Sequence, residues 1–250
     1  NPECQDAGYI ACGSDGACRG CMVDSECSNG KLHCDTGQCK PCTKNLDCES
    51  GLCNVASTDI NDFIDMADAK PGECVDKSKV KFVERPSGAC PGTVDGTKGN
   101  PYCDLTGNAL LARYLVVRKP LSMPTVAYAG LNISNGSTIT IIGEGDRTQI
   151  FVERVAASNS SKLTLAGVTV TATSMTTPIA NCTTNSTLSL NNVLIRHDVG
   201  LSPNNFVNAN CSQLTLDRCG IGKIDTNSMD GSYGSGMATN AAISISGATD

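Results

Sequence analysis

Five short phrases of one kind recur through the second half of the chain, and they restrict its fold more than any other feature. They read STITIIGEG at 137–145, SKLTLAGVTV at 161–170, STLSLNNVLI at 186–195, SQLTLDRCGI at 212–221 and AAISIS at 241–246. Their anchors, Ile139, Leu163, Leu188, Leu214 and Ile243, are 24, 25, 26 and 29 residues apart. The full phrase is apolar-x-apolar, two bend residues, then apolar-x-apolar: two strands of period two that meet at a corner. Between phrases a third short apolar element returns, at Ile150–Val152, Ile179 and Phe206–Val207.

Three short strands in a stepped repeat describe one coil of a right-handed parallel β-helix, a pectate-lyase-like solenoid. One coil cannot bury its inward residues, but coils stacked at about 4.8 Å bury them against each other. The expected interior is the row Ile139/Leu163/Leu188/Leu214/Ile243, the row Ile141/Leu165/Leu190/Leu216/Ile245, and the shorter rows Val168/Val193/Cys219 and Val170/Ile195/Ile221. Gly167, Asn192 and Arg218 would share a corner, where Gly and Asn tolerate left-handed backbone. A sandwich of hairpins would show frequent Asn-Gly or Asp-Gly turns. Beyond residue 130 there is one Asn-Gly, at Asn135.

The chain has 16 cysteines, and thirteen of them lie between Cys4 and Cys103. Two C-x-x-C pairs, Cys18/Cys21 and Cys39/Cys42, have zinc-ribbon spacing. Yet from Cys12 the spacing is C-x5-C-x2-C-x5-C-x6-C and from Cys34 it is C-x4-C-x2-C-x5-C-x4-C, a tandem repeat of about 21 residues. A four-ligand metal site leaves Cys27, Cys34 and Cys48 without a role, and His33 and His197 are the only histidines. Residues 1–55 also carry too few large apolar side chains for a core of their own. Disulfides supply what is missing, at about 2–4 kcal/mol each, and imply an oxidising, extracellular or cell-surface location. The candidates are Cys4, Cys12, Cys18, Cys21, Cys27, Cys34, Cys39, Cys42, Cys48, Cys53, Cys74, Cys90, Cys103, Cys182 and Cys211. Cys90 and Cys103 bracket a turn-rich segment, and Cys182 and Cys211 are about one coil apart, so each pair is expected to bond. Cys219 falls on an inward position as a core filler. Thirteen and three are both odd, so either one bridge joins the two regions or each keeps a thiol.

The formal charge of -6 offers no basic footprint for nucleic acid. There is no apolar run of about 18 residues to span a membrane. The chain does not open with a Met, a basic region and an apolar region, which suggests a mature or trimmed chain. The last phrase reads as the start of another coil of a longer parent. Three regions are expected: a cysteine-rich module at 1–56, an acidic connecting segment at 57–76, and the β-helix at 77–250. In the connecting segment Ile60, Phe63, Ile64 and Ala67 share one helical face, with Asp59, Asp62, Asp65 and Asp68 largely off it.

The stretches LARYLVV and PTVAYAGLNISNGSTITIIGEG resemble the opening of bacterial right-handed parallel β-helix proteins. The run VKFVERPSGACPGTVDGTKGNPYCDLTGNALLA is similar to the opening strand, the Gly-Thr-x-x-Asn-Pro-x-Cys turn and the capping helix of exported β-helix proteins from myxobacteria-like bacteria. In that group short cysteine repeats such as 12–53 often precede the helix, so the resemblance covers nearly the whole chain. It implies a capping helix at about Asp104 to Tyr114, with Leu105, Ala109, Leu110 and Ala112 closing the stack. The resemblance specifies architecture, but the fold hosts many chemistries.

Residues that bear chemistry are sparse. The outward positions expected on the third strand are Phe151, Glu153, Asn181, Asn208 and Asn210, with one carboxylate among them, where hydrolysis calls for a pair. The densest ionisable cluster is Arg196, His197 and Asp198, followed a coil later by Asp217, Arg218, Lys223 and Asp225. Arg, His and Asp together would suit proton abstraction from an acidic sugar, and corner exposure explains them equally well. DTNSMDG at 225–231 hints at a calcium loop, with its second Asp one position late. Six N-x-S/T sequons occur, at Asn132, Asn135, Asn159, Asn181, Asn185 and Asn210, near the number expected by chance. With no Trp, a strong sugar-stacking groove is not indicated. The expectation is a non-catalytic, exported structural or adhesive protein without a resident cofactor, whose partner is itself or a surface polysaccharide. The alternatives are a polysaccharide-active enzyme and a weak carbohydrate-binding module.

Overall fold

The computed structural model describes residues 11–12, 18–27, 31–55, 63–121, 127–172, 178–197, 206–223 and 243–245. They fall in two compact units, 1–80 and 81–250.

The first unit is built on sulfur. Among the described residues its disulfides are Cys21–Cys34, Cys27–Cys39, Cys42–Cys53 and Cys48–Cys74. Half-cystines 42, 48, 53 and 74 form a buried cluster with Val55 packed against it, taking the place of the missing aliphatic core. The zinc-ribbon alternative fails here, because Cys21, Cys39 and Cys42 each belong to a different bridge. The tandem repeat is also visible in hydrogen bonds. Asp24 Oδ1 accepts from the Cys34 amide at 2.7 Å, and Asn45 Oδ1 accepts from the Cys53 amide at 3.0 Å. Glu26 takes the Met22 amide at 2.7 Å, and Asp47 takes the Thr43 amide at 2.8 Å. Each repeat therefore spends two polar side chains on holding its own backbone.

In the acidic segment, Asp59, Ile60 and Asp62 lie outside the described residues. From Phe63 onward the chain makes turns in place of the expected helix, with the Ala69 amide donating to the Asp65 carbonyl at 3.1 Å. Asp68 is engaged by Lys79 at 2.6 Å.

The second unit is a parallel β-solenoid of three sheets. The first sheet stacks Val80–Val83, Tyr114–Arg118, Thr138–Glu144, Lys162–Ala166, Thr187–Asn191 and Gln213–Asp217. The second stacks Phe151–Glu153, Thr169–Ala172, Leu194–His197 and Gly220–Lys223. The third stacks Leu131–Ile133, Val155–Ala157, Ala180–Thr183, Val207–Asn210 and Ile243–Ile245. Register follows the apolar phrases: Ile139, Leu163, Leu188 and Leu214 form one inward row, and Ile141, Leu165, Leu190 and Leu216 the next. Val168 and Val193 are buried in the same core, with Cys219 packed against it as a free cysteine. Its thiol is pushed up by burial.

The corner also stands where the sequence put it: Gly167, Asn192 and Arg218 have φ of 64°, 51° and 51°. Arg147 ties it along the axis, since its Nη1 donates to Asn192 Oδ1 at 2.7 Å and to the Arg218 carbonyl at 3.3 Å.

Three expectations need correction. Ile243 and Ile245 belong to the third sheet, opposite Val207 and Ala209, and not to the row of Leu214. An Ile-x-Ile phrase has the same period in any strand, so pattern alone does not tell which sheet it joins. Phe151–Glu153 likewise pairs with Thr169–Thr171 in the second sheet; in that coil the third strand is Val155–Ala157. The capping helix is one turn of 3₁₀ helix, Gly107–Leu111. Gly107 enters it at φ 56°, and the Tyr114 strand follows too soon for α-helical turns. It still closes the stack, with Leu105, Ala109 and Ala112 buried in the core and Leu110 against it.

The entrance edge of the first sheet is sealed. Val80–Val83 pairs with Tyr114–Arg118 on one side; on the other, Phe82 donates to the Gly96 carbonyl at 2.8 Å and accepts from the Tyr102 amide at 2.9 Å. Cys90–Cys103 fastens the covering turn. Tyr128 locks the cap from behind, accepting from the Arg85 amide at 3.0 Å and donating to the Arg118 carbonyl at 2.7 Å. Burial pushes its hydroxyl up to about 12. The folded chain then keeps a proton that the unfolded chain loses above about 10, so this contribution is intact below that pH and fades as pH climbs to about 12. Tyr128→Phe is expected to cost about 1–3 kcal/mol at neutral pH by stranding two backbone groups. Its deficit against the parent should narrow over that alkaline window in denaturant titrations, and a constant deficit would contradict the assignment.

Candidate functional site

The ionisable cluster picked from the sequence divides over two places. Arg196 lies on the outer side of the second sheet, in register with Thr171 and Glu153, while its inward neighbour Ile195 fills the core. Its guanidinium reaches back over two rungs and stacks on the Phe151 ring at 4.2 Å. The His197 backbone continues the strand opposite Ala172 and Lys223. The side chains of His197 and Lys223, and all of Asp198, Asp225 and the DTNSMDG loop, lie outside the described residues. Thr169, beside Phe151 in register, donates its hydroxyl to the Arg147 carbonyl at 2.8 Å.

Asp217 and Arg218 sit at the corner between the first and second sheets and are committed there. Asn191 donates to Asp217 Oδ2 at 2.7 Å, Arg218 Nε reaches the same oxygen at 3.1 Å, and Arg218 Nη2 donates to Asn191 Oδ1 at 3.0 Å. This network joins two neighbouring coils across a corner where a positive φ would otherwise be costly for Arg.

The third sheet carries neutral groups. Asn208 donates to Asn181 Oδ1 at 2.9 Å across neighbouring rungs, and Asn210 is exposed opposite Thr183. Cys182–Cys211 bonds these same two coils. On the outside of the first sheet, Thr140, Thr164, Ser189 and Thr215 form one row, and Thr138, Lys162, Thr187 and Gln213 another.

The structure also explains the sequons, which sequence reasoning left to chance. Asn135, Asn159 and Asn185 occupy one corner with φ of 60°, 52° and 55°. Ser137 and Ser161, two residues after their Asn, and Ser186, one residue after its Asn, turn back toward the coil; Ser137 Oγ donates to the Ser134 carbonyl at 2.8 Å, and Ser186 Oγ to the Ala157 carbonyl at 3.0 Å. A left-handed Asn followed by a small hydroxyl residue is what this turn selects. The coil-length spacing of these triplets was the readable signal.

In the first unit a cavity of about 130 Å³ is lined by Asp24, Ser25, Glu49, Asp76 and Lys77 among others. Its acids are occupied. Asp24 holds the Cys34 and Glu49 amides, Glu49 pairs with Lys77 at 2.9 Å, and the Ser78 hydroxyl and amide hold the Asp76 carboxyl below its ordinary range. Searches of family models, curated proteins and solved structures return no match.

Proposed function

We propose that this chain is an exported structural or adhesive protein without catalytic activity, in which a disulfide-bonded module precedes a β-helical rod that presents neutral Thr, Ser and Asn rows. One observation carries the reading: the charged side chains of the candidate cluster that are described are engaged in holding coils together. Arg147, Asp217 and Arg218 brace a corner, and Arg196 stacks on Phe151. The outward rows Thr164/Ser189/Thr215 and Asn181/Asn208 offer repeated hydroxyl and amide groups at rung spacing. Such a surface suits many weak contacts to a polysaccharide better than one strong site. The described disulfides fit an oxidising, extracytoplasmic setting. Self-association by strand addition would not use the Val80–Val83 edge of the first sheet, where Phe82 already has its backbone groups paired.

The test is incubation with pectate, alginate and other acidic polysaccharides, reading unsaturated and reducing ends, together with sedimentation on insoluble polysaccharide. Binding without turnover is the expected result. Turnover that disappears in a folded His197→Ala variant would replace this reading with the enzymatic one.

A further inference from the structure

The module's two repeats bond by one rule. A C-x5-C pair bonds to the two cysteines of the next antiparallel pairing, first to first and second to second: Cys21 to Cys34 and Cys27 to Cys39, then Cys42 to Cys53 and Cys48 to Cys74. The receiving cysteines face each other in register, Cys34 opposite Cys39 and Cys53 opposite Cys74, and in neither case do they bond to one another. Cys12 and Cys18 face each other in the same antiparallel way. By position they are a third receiving pair, so their partners lie upstream.

The sequence before them is in phase with that role. Asn1-Pro2-Glu3-Cys4 aligns with Asp24-Ser25-Glu26-Cys27 and with Asn45-Leu46-Asp47-Cys48. Gly8-Tyr9-Ile10-Ala11-Cys12 aligns with Gly30-Lys31-Leu32-His33-Cys34. Cys4 thus takes the place of Cys27 and Cys48, the second member of each C-x5-C pair. The first member would fall six residues before Cys4, outside these 250 residues.

We infer that Cys4 bonds to Cys18, and that Cys12 is the coupling sulfur for a further repeat unit, taking the first cysteine of that unit's C-x5-C pair. Each bond forms from two thiols with loss of two protons and two electrons, which pass to a disulfide oxidant that is reduced to two thiols. The rule also resolves the odd count. Cys219 is free in the solenoid, and by the same rule Cys12 is the module sulfur left without a partner within these 250 residues.

Mapping of the oxidised chain decides it. The protein is alkylated with N-ethylmaleimide under denaturing, non-reducing conditions and cleaved before Asp6, Asp15 and Asp24 and after Arg19, which puts Cys4, Cys12, Cys18 and Cys21 on separate peptides. The expected result is a Cys4–Cys18 linked peptide with label on Cys12 and Cys219; a disulfide dimer through Cys12 has the same meaning. A Cys4–Cys12, Cys12–Cys18 or Cys12–Cys219 link overturns the inference. Cys12→Ser should remove one label and leave the Cys4–Cys18 link, and Cys18→Ser should add one label, on Cys4. Cys4 remaining blocked in Cys18→Ser would also overturn it.

Discussion

Replacing Cys48 and Cys74 together by Ser should remove about 3.5 kcal/mol from the stability of the first unit, the loop-closure value for a bridge spanning 26 residues. The effect is large because these half-cystines are also the unit's buried cluster, so the change removes a cross-link and core volume at once. Double replacement avoids leaving an unpaired thiol that could exchange with the neighbouring Cys42–Cys53 bridge. Hydrogen exchange read residue by residue is the suitable measurement. Amides of the repeat such as Cys53, Asn54 and Val75 should lose protection while those of Leu165 and Leu190 keep theirs. Unchanged protection in the first unit would mean that its stability does not come from sulfur.

The second large effect is expected at Gly143. A Cβ built there lies 2.1 Å from the Gly167 carbonyl oxygen and 2.9 Å from its carbon, both backbone atoms of the next coil. No rotamer change relieves that contact, so Gly143→Ala must push two rungs apart, at a cost of about 3 kcal/mol. Gly167→Ala is the control. Its left-handed φ of 64° penalises a side chain by about 1–2 kcal/mol, but its Cβ would meet nothing closer than 3.5 Å. Urea titration of the two variants should rank Gly143→Ala as clearly the more damaging, and equal losses would refute the close-approach argument.

Much of the solenoid was legible in the sequence because its interior is a set of rows one aliphatic side chain wide. Ile139 over Leu163 over Leu188 over Leu214 needs only a constant step and a period of two. The corner at Gly167, Asn192 and Arg218 was readable because the bend holds its place in each phrase, even though Arg is a poor left-handed residue. Assignment to a particular sheet was not readable for short elements. Ile243–Ile245 and Phe151–Glu153 carry period-two patterns that fit any of three strands, and only the length of chain between rungs separates them. The bridges Cys90–Cys103 and Cys182–Cys211 followed from local reach and from coil spacing. Connectivity in the module did not, since sixfold and eightfold cysteine sets allow many pairings and spacing fixes none. The candidate site was legible only as a list. Sequence neighbours Asp217 and Arg218 proved to brace a corner, and Arg196 turned toward an aromatic ring two rungs away.

The sealed entrance gives the solenoid a direction. Its first sheet begins on a strand whose free side is already taken by Gly96 and Tyr102, under a turn tied by Cys90 and Cys103. Deleting 80–103 would remove that strand, its turn and the Arg85 contact to Tyr128, and would leave the short segment from Leu105 to Ala112 to cover the core without their support. A coil cannot be added on the Val80–Val83 side of the first sheet, so any variation in coil number has to arise after it, with the beginning kept.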